Sequence, residues 1–131
     1  MITIVMPWID TILLPNTHDG LLKHGGRKAG FAITAARDTA KNTGYYAACQ
    51  AVFGLDQLER DIDHAVSIVW NPPIGAGNID NDGLSRAMKP TMDGIAQALN
   101  VNDFHFNPIE VRRGAKVEGG RVTVIIDDVP F

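Results

Sequence analysis

The chain has 131 residues, 45% of them hydrophobic, which is enough for one compact core and too few for two ordinary domains. Its formal net charge of -3 is wrong for a protein that grips nucleic acid with its whole surface, and its single cysteine, Cys49, excludes an intramolecular disulfide. No apolar run approaches the ~20 residues of a membrane span and MITIVMPWID lacks a basic leader, so a soluble, cytoplasmic protein without a membrane partner is expected.

The charge is unevenly distributed. Between Leu21 and Lys41 stand Lys23, Arg27, Lys28, Arg37 and Lys41, with His24, against the single acid Asp38. A second basic stretch holds Arg112, Arg113, Lys116 and Arg121 against Glu118. Acids collect instead from Asp56 to Asp63 and at Asp127 and Asp128. A locally basic face on a mildly acidic protein is the expectation.

In chain order, Ile2 to Met6 is β-branched and apolar, which predicts a strand that Pro7 limits. From about Asp10 through Leu14-Pro15-Asn16 to Gly25-Gly26, turn formers predict a loop. Arg27 to about Phe53 is rich in Ala, Lys, Arg and Gln and reads as a long helix, interrupted or bent near Gly44, with Cys49 a buried structural thiol. Ile62 to Trp70 alternates strictly, with His64 on the apolar parity as a partly buried, hydrogen-bonded side chain. Asn71 to Gly77 carries two prolines and two glycines and reads as a loop.

Leu84, Met88, Thr91, Ile95 and Leu99 recur at steps of three and four and predict a helix from about Gly83 to Leu99, kinked at Pro90. After a turn at 100–103, short strands are expected at Ile109 to Arg113 and Arg121 to Asp127, with Gly119-Gly120 turning the chain between them.

Asp80 and Asp82 stand two apart where the glycine-rich loop meets this helix. On an extended backbone their carboxylates would leave one face about 6.6 Å apart. Two such acids repel unless a cation neutralises them, and hard oxygen donors favour Mg²⁺ or Mn²⁺. The same string also reads as turn and cap chemistry, with Asp82 the N-cap before Gly83. Both readings stand on the residues alone.

The surrounding segment DNDGLSRAMKPTMDGIAQALNVND resembles the signature of RusA-type Holliday-junction resolvases. That family carries an Asp-x-Asp pair, a helix with a basic residue, an Asp-Gly-Ile-Ala-like turn of helix and a later loop acid. Here these are Asp80-x-Asp82, Arg86 or Lys89, Asp93-Gly94-Ile95-Ala96 and Asp103. The early strand, Leu14-Pro15-Asn16 and the basic helix are similar to the family's N-terminal layout, and Gly114 to Ile126 to its closing hairpin. A shifted register, pairing Asn78 with Asp80, would leave one ligand neutral.

The resemblance implies a single α/β (α+β) domain over residues 1–131, with a mixed sheet of about four strands packed against two main helices. It implies a magnesium-dependent endonuclease, manganese serving as well, that resolves four-way DNA junctions by paired nicks as a homodimer in recombination and repair, in a phage or prophage setting. Asp80, Asp82 and Asp103 would bind the metal, and Arg86 or Lys89 would assist the reacting phosphate. Asn16, Lys23, His24, Arg27, Lys28 and Arg37 would contact DNA. Asp93 reads as structural, pairing with Lys89 at i,i+4. Competing readings are a non-catalytic DNA-binding relative and a metal nuclease for other branched DNA.

Overall fold

A computed structural model describes residues 1–127, with only the backbone described at Asn16, so the DNA contact expected of Asn16 and the terminal acid Asp128 lie outside the described side chains. Alternation of apolar residues builds the sheet. In β1 (Ile2–Pro7), Ile2, Ile4 and Met6 point inward, and in β2 (His64–Asn71), Val66, Ile68 and Trp70 do the same. With β3 (Phe106–Arg113) and β4 (Arg121–Ile126) they form one mixed sheet in the order β1-β4-β2-β3. β4 runs antiparallel to both neighbours, and β2 pairs in parallel with β3. Pro108 has no backbone N–H, and the β2 to β3 register is irregular between His64 and Val66; the edge position of β3 accommodates both.

The helices cover one face. α1 (Pro15–His24) and α2 (Gly26–Ala51) precede β2, and α3 (Asn81–Ala87) and α4 (Lys89–Leu99) join β2 to β3. Leu84, Met88, Met92, Ile95 and Leu99 pack with Ala48 of α2 on the inward residues of β1, β2 and β4. The domain is therefore the small α+β fold expected, with four helices in place of two main ones.

Two segments depart from the sequence expectation. The region from Asp10 to Gly26 is mostly helical: Asp10 caps a short 3-10 turn at Thr11–Leu13, accepting from the Ile12 amide at 3.0 Å, and Pro15 then opens α1. Proline suits a first helical turn because its missing N–H has no intrahelical partner there. Leu13 packs with Ala36 and Ala87, which holds this segment on α2 and α3. The expected helix from Gly83 to Leu99 is two helices, broken at Met88 and starting at Asn81. Pro90 cannot donate to the Arg86 carbonyl and crowds it, so the chain restarts with proline in the first turn of α4. Cys49 is half-buried rather than buried.

α2 and α4 cross without intervening side chains. A Cβ at Gly94 would lie 2.0 Å from the Lys41 carbonyl oxygen, and one at Gly44 would lie 2.2 Å from that of Thr91. Glycine at both positions permits backbone to touch backbone, and α2 runs through Gly44 without the interruption expected there. His64 is fully buried, its Nδ1 3.0 Å from the Asp127 carbonyl oxygen and its Nε2 2.8 Å from that of Glu59.

Candidate functional site

The loop leaving the carboxyl end of β2 carries Asp80, a position where open α/β sheets commonly place ligand sites. Two contacts fix its end. Trp70, buried at the end of β2, donates its indole N–H to Asn81 Oδ1 at 2.9 Å, which ties the start of α3 to the sheet. Asp80 is the N-cap of α3, its Oδ1 accepting from the Gly83 amide at 2.6 Å. The cap is thus Asp80 and not Asp82, which sits in the first turn of the helix. Gly83 is buried against this cap: a Cβ there would meet Asp80 Oδ1 at 2.8 Å and the Pro15 ring at 3.4 Å.

Asp80, Asp82 and Arg86 line a cleft of about 730 Å³ between α3, the loop from Pro73 to Ile79 and the Trp8 to Thr17 region. Asp82 and Arg86 are separated by one turn on α3, a rise of about 6 Å, and so share a helix face. Arg86 is in turn held from α1: its Nη2 donates to Asp19 Oδ1 at 3.5 Å, and Asp19 also meets His18 Nδ1 at 3.3 Å. The His18 contact, followed by the Arg86 charge, holds the Asp19 carboxyl below its ordinary pKa. His18 Nε2 faces Arg37 Nη2 at 3.4 Å. One neutral tautomer serves the whole chain of contacts, with Nδ1–H donating to Asp19 and Nε2 accepting from Arg37.

Asp103 stands in a different cluster. Lys89 Nζ donates to Asp103 Oδ2 at 2.5 Å and to Asp93 Oδ1 at 2.8 Å, the second being the i,i+4 pair expected from the sequence. The ammonium pulls the Asp103 carboxyl below its ordinary pKa, and Asp103, then Asp93, raise that of Lys89. Among the described residues no three His, Cys, Asp or Glu side chains gather as a metal-ligating group. Asp80 and Asp82 are brought to one cleft, and Asp103 is placed on Lys89.

Of the residues expected to contact DNA, Lys23 and His24 end α1 and Arg27 and Lys28 open α2, all four exposed at one helical corner. Arg37 lies further along α2 on His18. The sequence reading assigned no role to Trp8, His18 and Asp19, which line the cleft or steer Arg86. Proline at a first helical position was the signal that α1 would bring them here. His105, two residues past Asp103, is engaged by Asp63 at 3.0 Å, and Asn107 donates to the same carboxylate at 3.1 Å. Those two contacts, His105 first, hold Asp63 below its ordinary pKa.

No model of a known protein family matches the chain, and no curated protein matches it significantly. No helix among the described residues is long and apolar enough to cross a membrane.

Proposed function

We propose that this protein is a magnesium-dependent endodeoxyribonuclease for branched DNA, a junction-resolving enzyme of RusA type acting as a homodimer. The observation that carries this reading is the cleft shared by Asp80, Asp82 and Arg86. The donor set fits a small hard cation: Asp80 keeps Oδ2 clear of its cap bond, Asp82 is exposed beside it, and Mg²⁺ is commonly held by one or two carboxylates plus substrate phosphate and water. Bound there, Mg²⁺ supplies a water of lowered pKa and polarises the phosphate under attack.

The chain's own groups do the rest. Arg86, oriented by Asp19, faces the cleft and balances charge that develops on the phosphate oxygens. Asp103, the third acid of the resemblance, is held by Lys89, so the cation reading rests on Asp80 and Asp82. A two-fold dimer would present two such clefts, as paired nicks require.

Purified protein is incubated with labelled four-way junctions, forks and linear duplex, with and without Mg²⁺. Metal-dependent nicking of the branched substrates is expected, and Asp82→Asn should abolish it while leaving junction binding intact or stronger. Undiminished cleavage by Asp82→Asn refutes the metal assignment. The Asp103 to Lys89 pairing favours a second reading, a DNA-binding relative that does not cut. Junction binding by the wild-type protein without cleavage at any Mg²⁺ or Mn²⁺ concentration would select it.

A further inference from the structure

Beside the carboxylate cleft lies a second one, of about 270 Å³, built where all four helices meet. Arg37 and Lys41 enter it from α2, one turn apart on the same face, Arg86 from α3 and Lys89 from α4, while His18 of α1 closes one side. Arg86 is paired with Asp19 and Lys89 with Asp93 and Asp103, which leaves Arg37 and Lys41 as the lining cations without an ion pair among the described residues, against Asp38 in the same lining. Arg86 is the wall between the two clefts, since it lines both.

The width of this cleft is set by the fold. Lys41 is the residue whose carbonyl oxygen touches Gly94, next to Asp93, so the close crossing of α2 and α4 draws Lys41 and Lys89 to one opening. Arg37 is steadied by His18, itself mostly buried. Guanidinium forks and ammonium groups converging from separate elements are the recognition chemistry of phosphate.

We propose that this basic cleft binds a phosphodiester of the DNA strand, the neighbour of the one presented to Asp80 and Asp82, and that it does so without metal. The inference rests on the nuclease reading for its choice of strand. A strand crossing Arg86 delivers one phosphate to the basic cleft and the next to the acidic one. The basic cleft is thereby the element that sets the strand's register relative to the carboxylates.

The test is made in EDTA. Binding of labelled four-way junction and of a labelled 20-nucleotide single strand is followed by fluorescence anisotropy between 50 and 200 mM NaCl. Wild-type protein is compared with Arg37→Gln/Lys41→Gln and with Arg112→Gln/Arg113→Gln on the far edge strand β3; all four positions are exposed. Each phosphate contact contributes about 0.9 to the slope of log K against log salt on duplex and about 0.7 on single strands. Loss of the cleft's contact should reduce the slope by about that much, so that the affinity lost over this fourfold rise in salt is smaller by about 3.5-fold on duplex arms. The Arg112/Arg113 variant should keep the wild-type slope.

An unchanged slope in the Arg37/Lys41 variant, an equal loss in both variants, or no salt-dependent binding by wild type overturns the proposal. Inorganic phosphate provides the other arm: shifts of the Lys41 and Ala87 amides with phosphate, but no strand binding, would make this a small-anion site and overturn the strand assignment. The nuclease reading fails separately, by absence of cleavage in Mg²⁺, and a slope loss in EDTA would survive that failure.

Discussion

Replacing Gly94 with alanine adds one methyl group at the place where α2 and α4 touch, and the structure gives the size of the collision. The new Cβ would sit 2.0 Å from the Lys41 carbonyl oxygen and 3.0 Å from the Tyr45 nitrogen, both backbone atoms. Cβ contacts shorter than 3.0 Å are not found in real proteins, so the helices must separate by at least about 1 Å locally. No rotamer change relieves a clash with backbone, which places the steric term near the upper end of the usual overpacking range, about 3 kcal/mol. Alanine returns about 1 kcal/mol of helix propensity, leaving a net loss of about 2 kcal/mol. Gly30 is the matched control: it lies in α2 with nothing within 4 Å of its added Cβ, so Gly30→Ala should gain about 0.5–1 kcal/mol. Urea unfolding followed by circular dichroism should therefore separate the two variants by about 2.5–3 kcal/mol, with the wild type between them. A Gly94→Ala protein as stable as wild type would refute the claim that backbone contact sets this crossing.

Other perturbations test other parts of the argument. His64→Ala should cost about 2–5 kcal/mol in the same assay, because it leaves a cavity where a fully buried side chain stood and removes the ring N–H that a Glu59 or Asp127 carbonyl oxygen accepts; a loss under 1 kcal/mol would mean that neither contact matters to the fold. The Asp103 carboxyl, held below its ordinary pKa by Lys89, should titrate by NMR at lower pH than a free aspartate and return towards the ordinary value in Lys89→Met. Since the folded pKa is the depressed one, the pair's contribution to stability is complete above about pH 4 and declines as pH falls through the folded value. A midpoint for Asp103 that Lys89→Met leaves unchanged would dissolve the pair.

The strict alternation of Val66, Ile68 and Trp70 was enough to identify β2, because one-sided burial leaves a period of two in the chain. The inward stripe of α4 was legible in the same way from Met92, Ile95 and Leu99. α1 was not, since Asn16, Thr17, Asp19 and Gly20 are poor helix formers locally and what holds the segment is tertiary: Leu13 packs against Ala36 and Ala87, residues far along the chain. The site divides likewise. Asp80 and Asp82 were visible as a pair two apart, but which of them caps α3 depends on where the helix starts, and helix ends are poorly marked in sequence. The meeting of Arg37, Lys41, Arg86 and Lys89 depends on two glycines fifty residues apart, Gly44 and Gly94, and no local pattern links them.

The cap bond of Asp80 also bears on which ion the cleft would select. With Oδ1 accepting from the Gly83 amide, the carboxylate is already oriented before any ion arrives, and Oδ2 is the oxygen clear of that bond. Under the nuclease reading a magnesium ion, octahedral at about 2.0–2.1 Å, would take Oδ2 alone and keep its waters, whereas a bidentate calcium at about 2.3–2.6 Å would have to share Oδ1 with the cap. A hydrogen bond that begins a helix would thus act as a filter on cation size.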